Sequence, residues 1–365
     1  MGTYLQRTTS SAGNDRTFTF STWLKRSVLT GANQTIFYSQ DDAQNYIRLY
    51  FDSYERLQLR VYISNSLNTK LVTTQVLKDP AAWYHIMWRC DTTDATTGDR
   101  NRFYLNGSEI TTFNTEDQPT QNTDYPINNS STLYEIGNEA YAQAEQFQGY
   151  LSQSIFADGQ SYAPTVFGST NADGVWTPNS QPSVTYGTNG FKLDFAGTGA
   201  SADASGFGAD TSGNANHFAS TNLGTNPSTT DQCINNFCTI NPLTNEFADS
   251  TISNGALKVV FKQTSEAFND STMRLFNKGK WYYEVKFTSI PDAAATVGAG
   301  WGAYENQTTS QYLGNGNLGV AVVNTGQKRV GGSYGTYGSA FSNGDIMMVA
   351  ADLDNGNFYF GKNGQ

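Results

Sequence analysis

The feature that most limits what this chain can become is an alternation of apolar and polar residues with a period of two. In Thr17-Phe-Thr-Phe-Ser-Thr-Trp-Leu24, Phe18, Phe20 and Thr22 fall on one side and the intervening residues on the other. That is the periodicity of a pleated strand, not of a helix. Similar runs are expected at 45 to 52, 57 to 63, 71 to 77, 83 to 90, 102 to 105, 133 to 136 and 148 to 156. Asn106-Gly107, directly after RFYL, supplies the positive φ that a two-residue hairpin turn requires. Composition agrees: 13% aromatic residues, 35 glycines and only 15% charged residues suit half-buried pleated surfaces joined by tight turns.

A second strand series starts near Ala256: LKVVF, KWYYEVKF, VGAGWG, LGVAVV, IMMVAADLD and NFYFGKNG. Met347, Val349, Ala351 and Leu353 share one alternating face, and Asn355-Gly356 is expected to make the turn after them. With 365 residues, two cores are the starting expectation. Between the series the texture is Gly, Ser, Thr, Asn and Asp, which cannot bury a core unaided. The expected layout is therefore a sandwich over 1–168, an irregular connector over 169–251 and a second sandwich over 252–365. One strand in the connector, near 190–195 (GFKLDF), is assigned to the first sandwich, and Phe207, Phe218 and Phe237 are expected to clamp the rest.

A formal net charge of -10 with no Lys/Arg cluster argues against nucleic acid as a partner. No window approaches the ~20 apolar residues of a membrane span, so no membrane insertion is expected. MGTYLQRTTSSAGNDR lacks the basic-then-apolar pattern of a secretion signal. Three cysteines, Cys90, Cys233 and Cys238, make no disulfide framework and have no zinc spacing. Whether Cys233 and Cys238 pair is left open.

Machinery for chemistry is sparse. Of the two histidines, His85 lies between aromatics on a strand and reads as a hydrogen-bonded sheet residue, and His217 has no nucleophile pattern beside it. Gly314-Asn-Gly-Asn-Leu-Gly319 has dinucleotide-loop spacing, but a strand rather than a helix follows it. Glu135 and Glu139, if one strand runs through both, stand about 13 Å apart. Glycoside hydrolysis needs about 5 Å between carboxyls for retention and about 6.5 to 9.5 Å for inversion. No catalytic residue and no cofactor are therefore expected. Calcium is conceivable at Asp41-Asp42 or between Asp203 and Asp210 by residue type alone, and surface solvation is the preferred role for both. Flat aromatic faces are easier to motivate: Tyr334 and Tyr337 in GGSYGTYGSAF, with Tyr304 after another strand, are the ligand-binding candidates.

The segments TFTFSTWLKRS, DPAAWYHIMWRCD, RFYLNG, LYEIGN and FQGYLSQSIFADGQ resemble, in order and spacing, successive strands of the laminin-G-like, concanavalin-type family. GKWYYEVKF, VGAGWG and NGDIMMVAADLDNGNFYFGKNG resemble core strands of the SPRY family. The phrases DTSGNANHF and NNFCTINPLT are similar to a connector in structural proteins of marine phages, where the two modules sit in tandem. The resemblance implies an all-β fold of two antiparallel sandwiches, a concanavalin-like jelly roll and then a SPRY-like one. It also implies a non-enzymatic virion component, assembled in the host cytoplasm, that contacts other virion proteins and a host cell-surface glycan or receptor. Fibre and spike components are usually symmetric oligomers, and a trimer is the expectation. A capsid- or neck-decorating fibre, a glycan depolymerase and a secreted lectin are the alternatives. In SPRY-like domains further strands follow FGKNG, so the natural product is expected to continue past Gln365 or to receive a strand from elsewhere.

Overall fold

The computed structural model describes residues 3–29, 31–140, 145–223, 228–243, 250–261, 269–272, 278–290, 296–302, 313–314 and 319–365. Almost all regular structure there is antiparallel strand, so the expected all-β class holds. Helical pieces among the described residues are short 3-10 turns, including Thr97–Asp99 and Pro164–Val166. The chain divides into two compact units, Met1–Phe237 and Cys238–Gln365.

The first unit contains β1 (Tyr4–Thr8), β2 (Thr17–Arg26), β3 (Gln34–Asp42), β4 (Asn45–Phe51), β5 (Arg56–Ile63), β6 (Ser66–Val76), β7 (Trp83–Asp91) and β8 (Asn101–Leu105). It continues with β9 (Ser108–Ile110), β10 (Phe113–Asp117), β11 (Leu133–Ile136), β12 (Gly149–Asp158), β13 (Gly168–Thr170), β14 (Trp176–Pro178), β15 (Phe191–Leu193) and β16 (Ala219–Thr221). An eight-stranded sheet of order β10-β6-β5-β4-β3-β11-β1-β16 faces a six-stranded sheet of order β15-β12-β2-β7-β8-β9. Phe18, Phe20 and Leu24 from one sheet interleave with Phe37, Leu49, Leu59 and Tyr134 from the other in a single core. Phe20 stacks on Phe37 at 4.8 Å, and Trp88 meets Phe18 edge-on at the same distance.

Asn106 and Gly107 both have positive φ (48° and 79°) and join Leu105 to its partner Ser108 in the two-residue hairpin that the dipeptide predicts. The strand expected near 190–195 is β15, paired with β12.

The boundary expected at residue 168 is not where this unit ends. Phe191, Leu193, Phe207 and Phe218 are buried in its core, and Phe218 packs edge-on to Phe191 at 4.8 Å. Lys25 on β2 is only 2% exposed and its ammonium lies 2.9 Å from Asp231, itself 0% exposed, which fastens residues 231–237 onto the unit. Phe207 and Phe218, expected to clamp the connector locally, thus do so by joining the core of the first unit.

The second unit contains β17 (Ser250–Ser253), β18 (Lys258–Phe261), β19 (Lys280–Lys286), β20 (Gly298–Gly302), β21 (Gly319–Val323), β22 (Gln327–Val330), β23 (Ser333–Thr336), β24 (Ile346–Asp352) and β25 (Asn357–Lys362). A three-stranded sheet, β19-β24-β25, supplies Tyr283, Val285, Met347, Val349 and Phe360 to a core completed by Ala299, Trp301 and Val322 of the four-stranded sheet β20-β21-β22-β23. The Tyr283 hydroxyl donates to the Gly300 carbonyl at 2.8 Å and fixes the spacing of the sheets. Met347, Val349 and Ala351 are buried as the alternation requires. Leu353 is only half-buried, because β24 ends at Asp352 and a four-residue loop replaces the expected two-residue turn. Only Gly356 there takes positive φ, and Asn355 instead bonds the Asp352 carboxylate.

Candidate functional site

The outward face of the eight-stranded sheet carries more chemistry than the rest of the first unit. Alternation on β4 sends Ile47, Leu49 and Phe51 into the core, which leaves Tyr46, Arg48 and Tyr50 outside. On β5 the same rule turns out Arg56, Gln58, Arg60 and Tyr62. Antiparallel register then lines up Gln6, Glu135, Tyr38, Arg48, Arg60, Lys70 and Asp117 as one row across seven strands. The next row is Gln40, Tyr46 and Tyr62.

The aromatics form a ladder. Tyr46 and Tyr62 stack at 4.7 Å, and Tyr38 lies 6.0 Å from Tyr46. Tyr38 is fully buried, whereas Tyr46 and Tyr62 are half-buried and keep ring surface toward solvent. Burial pushes the Tyr46 phenol up to about 12, so the hydroxyl stays protonated and able to donate at neutral pH. Beside the ladder, Arg48 lies 3.9 Å over the Tyr50 ring, contacts Glu139 at 2.8 Å and also pairs with Glu145.

Glu135 and Glu139 do not keep the strand-length separation that their spacing suggests. β11 stops at Ile136, and Gly137, at φ 84°, turns the chain. Glu139 then lies close enough for its charge to act on Glu135. Burial, against a hydrogen bond from Asn138 and with repulsion from Glu139, raises the Glu135 carboxyl to about 7. Glu139 is also raised by burial, and Arg48 and Arg60 oppose the rise. The group can therefore hold one protonated acid beside an arginine-bound carboxylate.

The remaining sequence candidates are placed as follows. His85 is fully buried, and its ring is used at both nitrogens: Trp176 Nε1–H donates to Nδ1 at 3.1 Å, which leaves the ring proton on Nε2, 2.9 Å from Ser21 Oγ. Burial drives its pKa down to about 3. Asp41 accepts from Asn129 and Thr132, Asp42 from Gln44 and Asn45, and Asp203 from Ser205 and Gly206, so these carboxylates cap loops. Among the described residues no group of three or more His, Cys, Asp or Glu side chains is arranged to hold a metal. Cys90, Cys233 and Cys238 are free thiols. Strand β21 begins at Gly319 itself, and residues 315–318 lie outside the described ones.

In the second unit, Tyr334 is half-exposed on β23 with the Arg329 guanidinium 5.2 Å over its ring. Tyr337 is exposed but anchored: its ring meets that of Phe360 edge-on at 5.8 Å and its hydroxyl accepts the Phe360 N–H at 3.0 Å. Tyr304 lies outside the described residues.

Sequence reading missed the tyrosine and arginine rows altogether. The signal was present in Tyr46-x-Arg48-x-Tyr50 and Arg60-x-Tyr62, whose rings and guanidiniums fall on the face where short polar residues are the norm.

Two facing antiparallel sheets of this kind define a concanavalin-like lectin fold for the first unit. Residues 2–160 match the family described as the concanavalin A-like lectin/glucanases superfamily. Among solved structures, the chain is similar to the native heptameric SAP-like pentraxin from Limulus polyphemus, with 20% identity over 44% of this chain and 71% of that one and a TM-score of 0.33. It is also similar to domain 4 of AbnA, a GH43 extracellular arabinanase from Geobacillus stearothermophilus, in complex with arabinotriose: 16% identity, 42% and 65% coverage, TM-score 0.32. Mouse laminin α1 chain domains LG4-5 give 11% identity, 44% and 40% coverage, and a TM-score of 0.33. The matches thus span less than two thirds of the arabinanase domain and of the laminin chain. No curated protein sequence matches the chain.

Proposed function

We propose that this chain is a non-enzymatic carbohydrate-recognition protein, borne on a phage virion as a tail-fibre or host-attachment component, whose first unit reads a cell-surface glycan on the outward face of the eight-stranded sheet. The observation that carries the reading is the half-buried Tyr46–Tyr62 stack beside the Arg48 and Arg60 guanidiniums. Sugars are bound by aromatic faces that cover their C–H surface and by polar groups that fix their hydroxyls, and this face holds both. The family match, whose description joins lectins with glucanases, supports the ligand class. The phage context rests on the connector phrases DTSGNANHF and NNFCTINPLT. Tyr334 and Tyr337 are kept as a second contact candidate, and Tyr304 as a candidate by residue type alone.

Glu135 and Glu139 favour one second reading, a glycan depolymerase. A retaining or inverting hydrolase needs one carboxyl protonated and the other free to act as nucleophile or base. Glu135 meets the first condition, but Glu139 is held by Arg48 at 2.8 Å. Incubating the full chain with host polysaccharide separates the two: retention with no new reducing ends supports recognition, new reducing ends abolished by Glu135→Gln support hydrolysis, and neither result defeats both.

A further inference from the structure

At the β1–β16 end of the same sheet lies a cavity of about 470 Å³ that the tyrosine face does not use. Its polar lining is Gln6, Arg7, Thr8, Ser10 and His217, together with Asn216. None of its lining residues is a carboxylate, although acidic residues outnumber basic ones 32 to 22 in the chain. The lining is rich in donors. Arg7 Nη2 donates to Asn216 Oδ1 at 2.5 Å, while its Nη1 is covered and has no hydrogen-bond partner among the described residues. Buried donors ordinarily find a partner, so Arg7 Nη1 keeps donor capacity that the described residues do not fill. The Asp210 N–H donates to His217 Nδ1 at 3.0 Å, which leaves Nε2–H as the donor of the neutral ring.

Asp210 is the carboxylate that acts on Arg7, and it does so through space. Its own oxygens are taken by Lys192 N, Ser212 N, Ser212 Oγ and Asn216 N, all between 2.8 and 2.9 Å. The rest of the wall is apolar: Leu133, Ala202, Ala215 and Ala219. The lining therefore combines a cation and hydroxyls with small apolar side chains.

We infer that this cavity binds the carboxylate end of an acidic saccharide, with Arg7 as the anchor and Thr8, Ser10 and His217 as supporting donors. This rests on the carbohydrate-recognition reading and deepens it, since Gln6 lies both in the cavity and in the row that leads to Tyr38. A small rotation of the Arg7 side chain presents Nη1 to the carboxylate, and the sugar's C–H face rests on the alanine methyls.

Amide chemical shifts of the full-length ¹⁵N-labelled protein, titrated with sodium glucuronate and with glucose, test it. Glucuronate should move amides at 6–10 and 215–219, and glucose at equal concentration should not. Arg7→Gln, which can retain the Asn216 contact, should weaken glucuronate binding about tenfold or more. Ala202→Trp, at an exposed rim position, should block it sterically. An unchanged response in both variants, equal shifts with glucose, or displacement by sodium sulfate at equal concentration would overturn the assignment. Tyr46→Ala keeps the cavity intact, so glucuronate binding lost there but not in Arg7→Gln overturns the cavity alone. Polysaccharide retention without any glucuronate response does the same and leaves the broader reading standing.

Discussion

A fully buried imidazole folds in its neutral form, and His85 is pinned in that form by Trp176 and Ser21. Its folded pKa of about 3 lies below the ordinary unfolded value near 6.5, so it contributes stability above pH ~6.5 that is lost as pH falls toward 3. At about 1.4 kcal/mol per pH unit the loss is on the order of 4 kcal/mol. Urea midpoints should therefore drop steeply between pH 6.5 and 4, and His85→Gln should flatten that slope whatever it costs at neutral pH. Glu135 pulls the other way. Its carboxyl is raised to about 7 from about 4.5, so its contribution is complete below pH ~4.5 and disappears as pH rises through 7. Glu135→Gln, which keeps the shape and the Asn138 contact, should gain stability relative to the parent at pH 8 and not at pH 4. Midpoints that move in parallel at both pH values would contradict a raised carboxyl.

At the scale of elements, the strands were legible where one face is core and the other is solvent. Leu133–Ile136 matches the expected run, and Trp83–Asp91 and Arg56–Ile63 differ from it by one residue at one end. Strand β3 escaped notice because register shifts between Thr35 and Phe37 and buries Ile36 and Phe37 side by side, which breaks the alternation. Strand β1 escaped because Tyr4 to Thr8 holds only two apolar residues and its partners, β11 and β16, lie far along the chain. The recognition face was hidden for a related reason: alternation tells which side Tyr46 faces, but hairpin register sets Tyr38 beside Arg48, and long-range register sets Glu135 beside Tyr38. The Asn106-Gly107 turn was legible, yet not what sits on it. The Trp176 ring lies 2.5 Å from where a β-carbon at Gly107 would stand. Gly107→Ala must therefore strain a left-handed φ and displace that ring, and thermal unfolding should show a loss of about 2 kcal/mol or more.

For each unit as a whole, the size of the first core is the point at which composition misled. A Gly/Asn-rich stretch reads as linker, but four well-spaced apolar side chains, Phe191, Leu193, Phe207 and Phe218, are enough to join an existing sandwich. A 1–237 fragment should unfold in one cooperative transition, whereas 1–168 should lose it, and Phe218→Ala in the full chain should cost about 3 to 5 kcal/mol. Cooperative unfolding of 1–168 would show that the segment adds nothing to the core. The broadest claim concerns the outward face of that sandwich as a recognition surface built from Tyr46 and Tyr62. Its most direct test is retention of the Tyr46→Ala/Tyr62→Ala variant on immobilised host glycan, measured beside its melting temperature. Binding reduced about tenfold or more with the fold intact is the predicted result; undiminished retention by a folded double variant would contradict it.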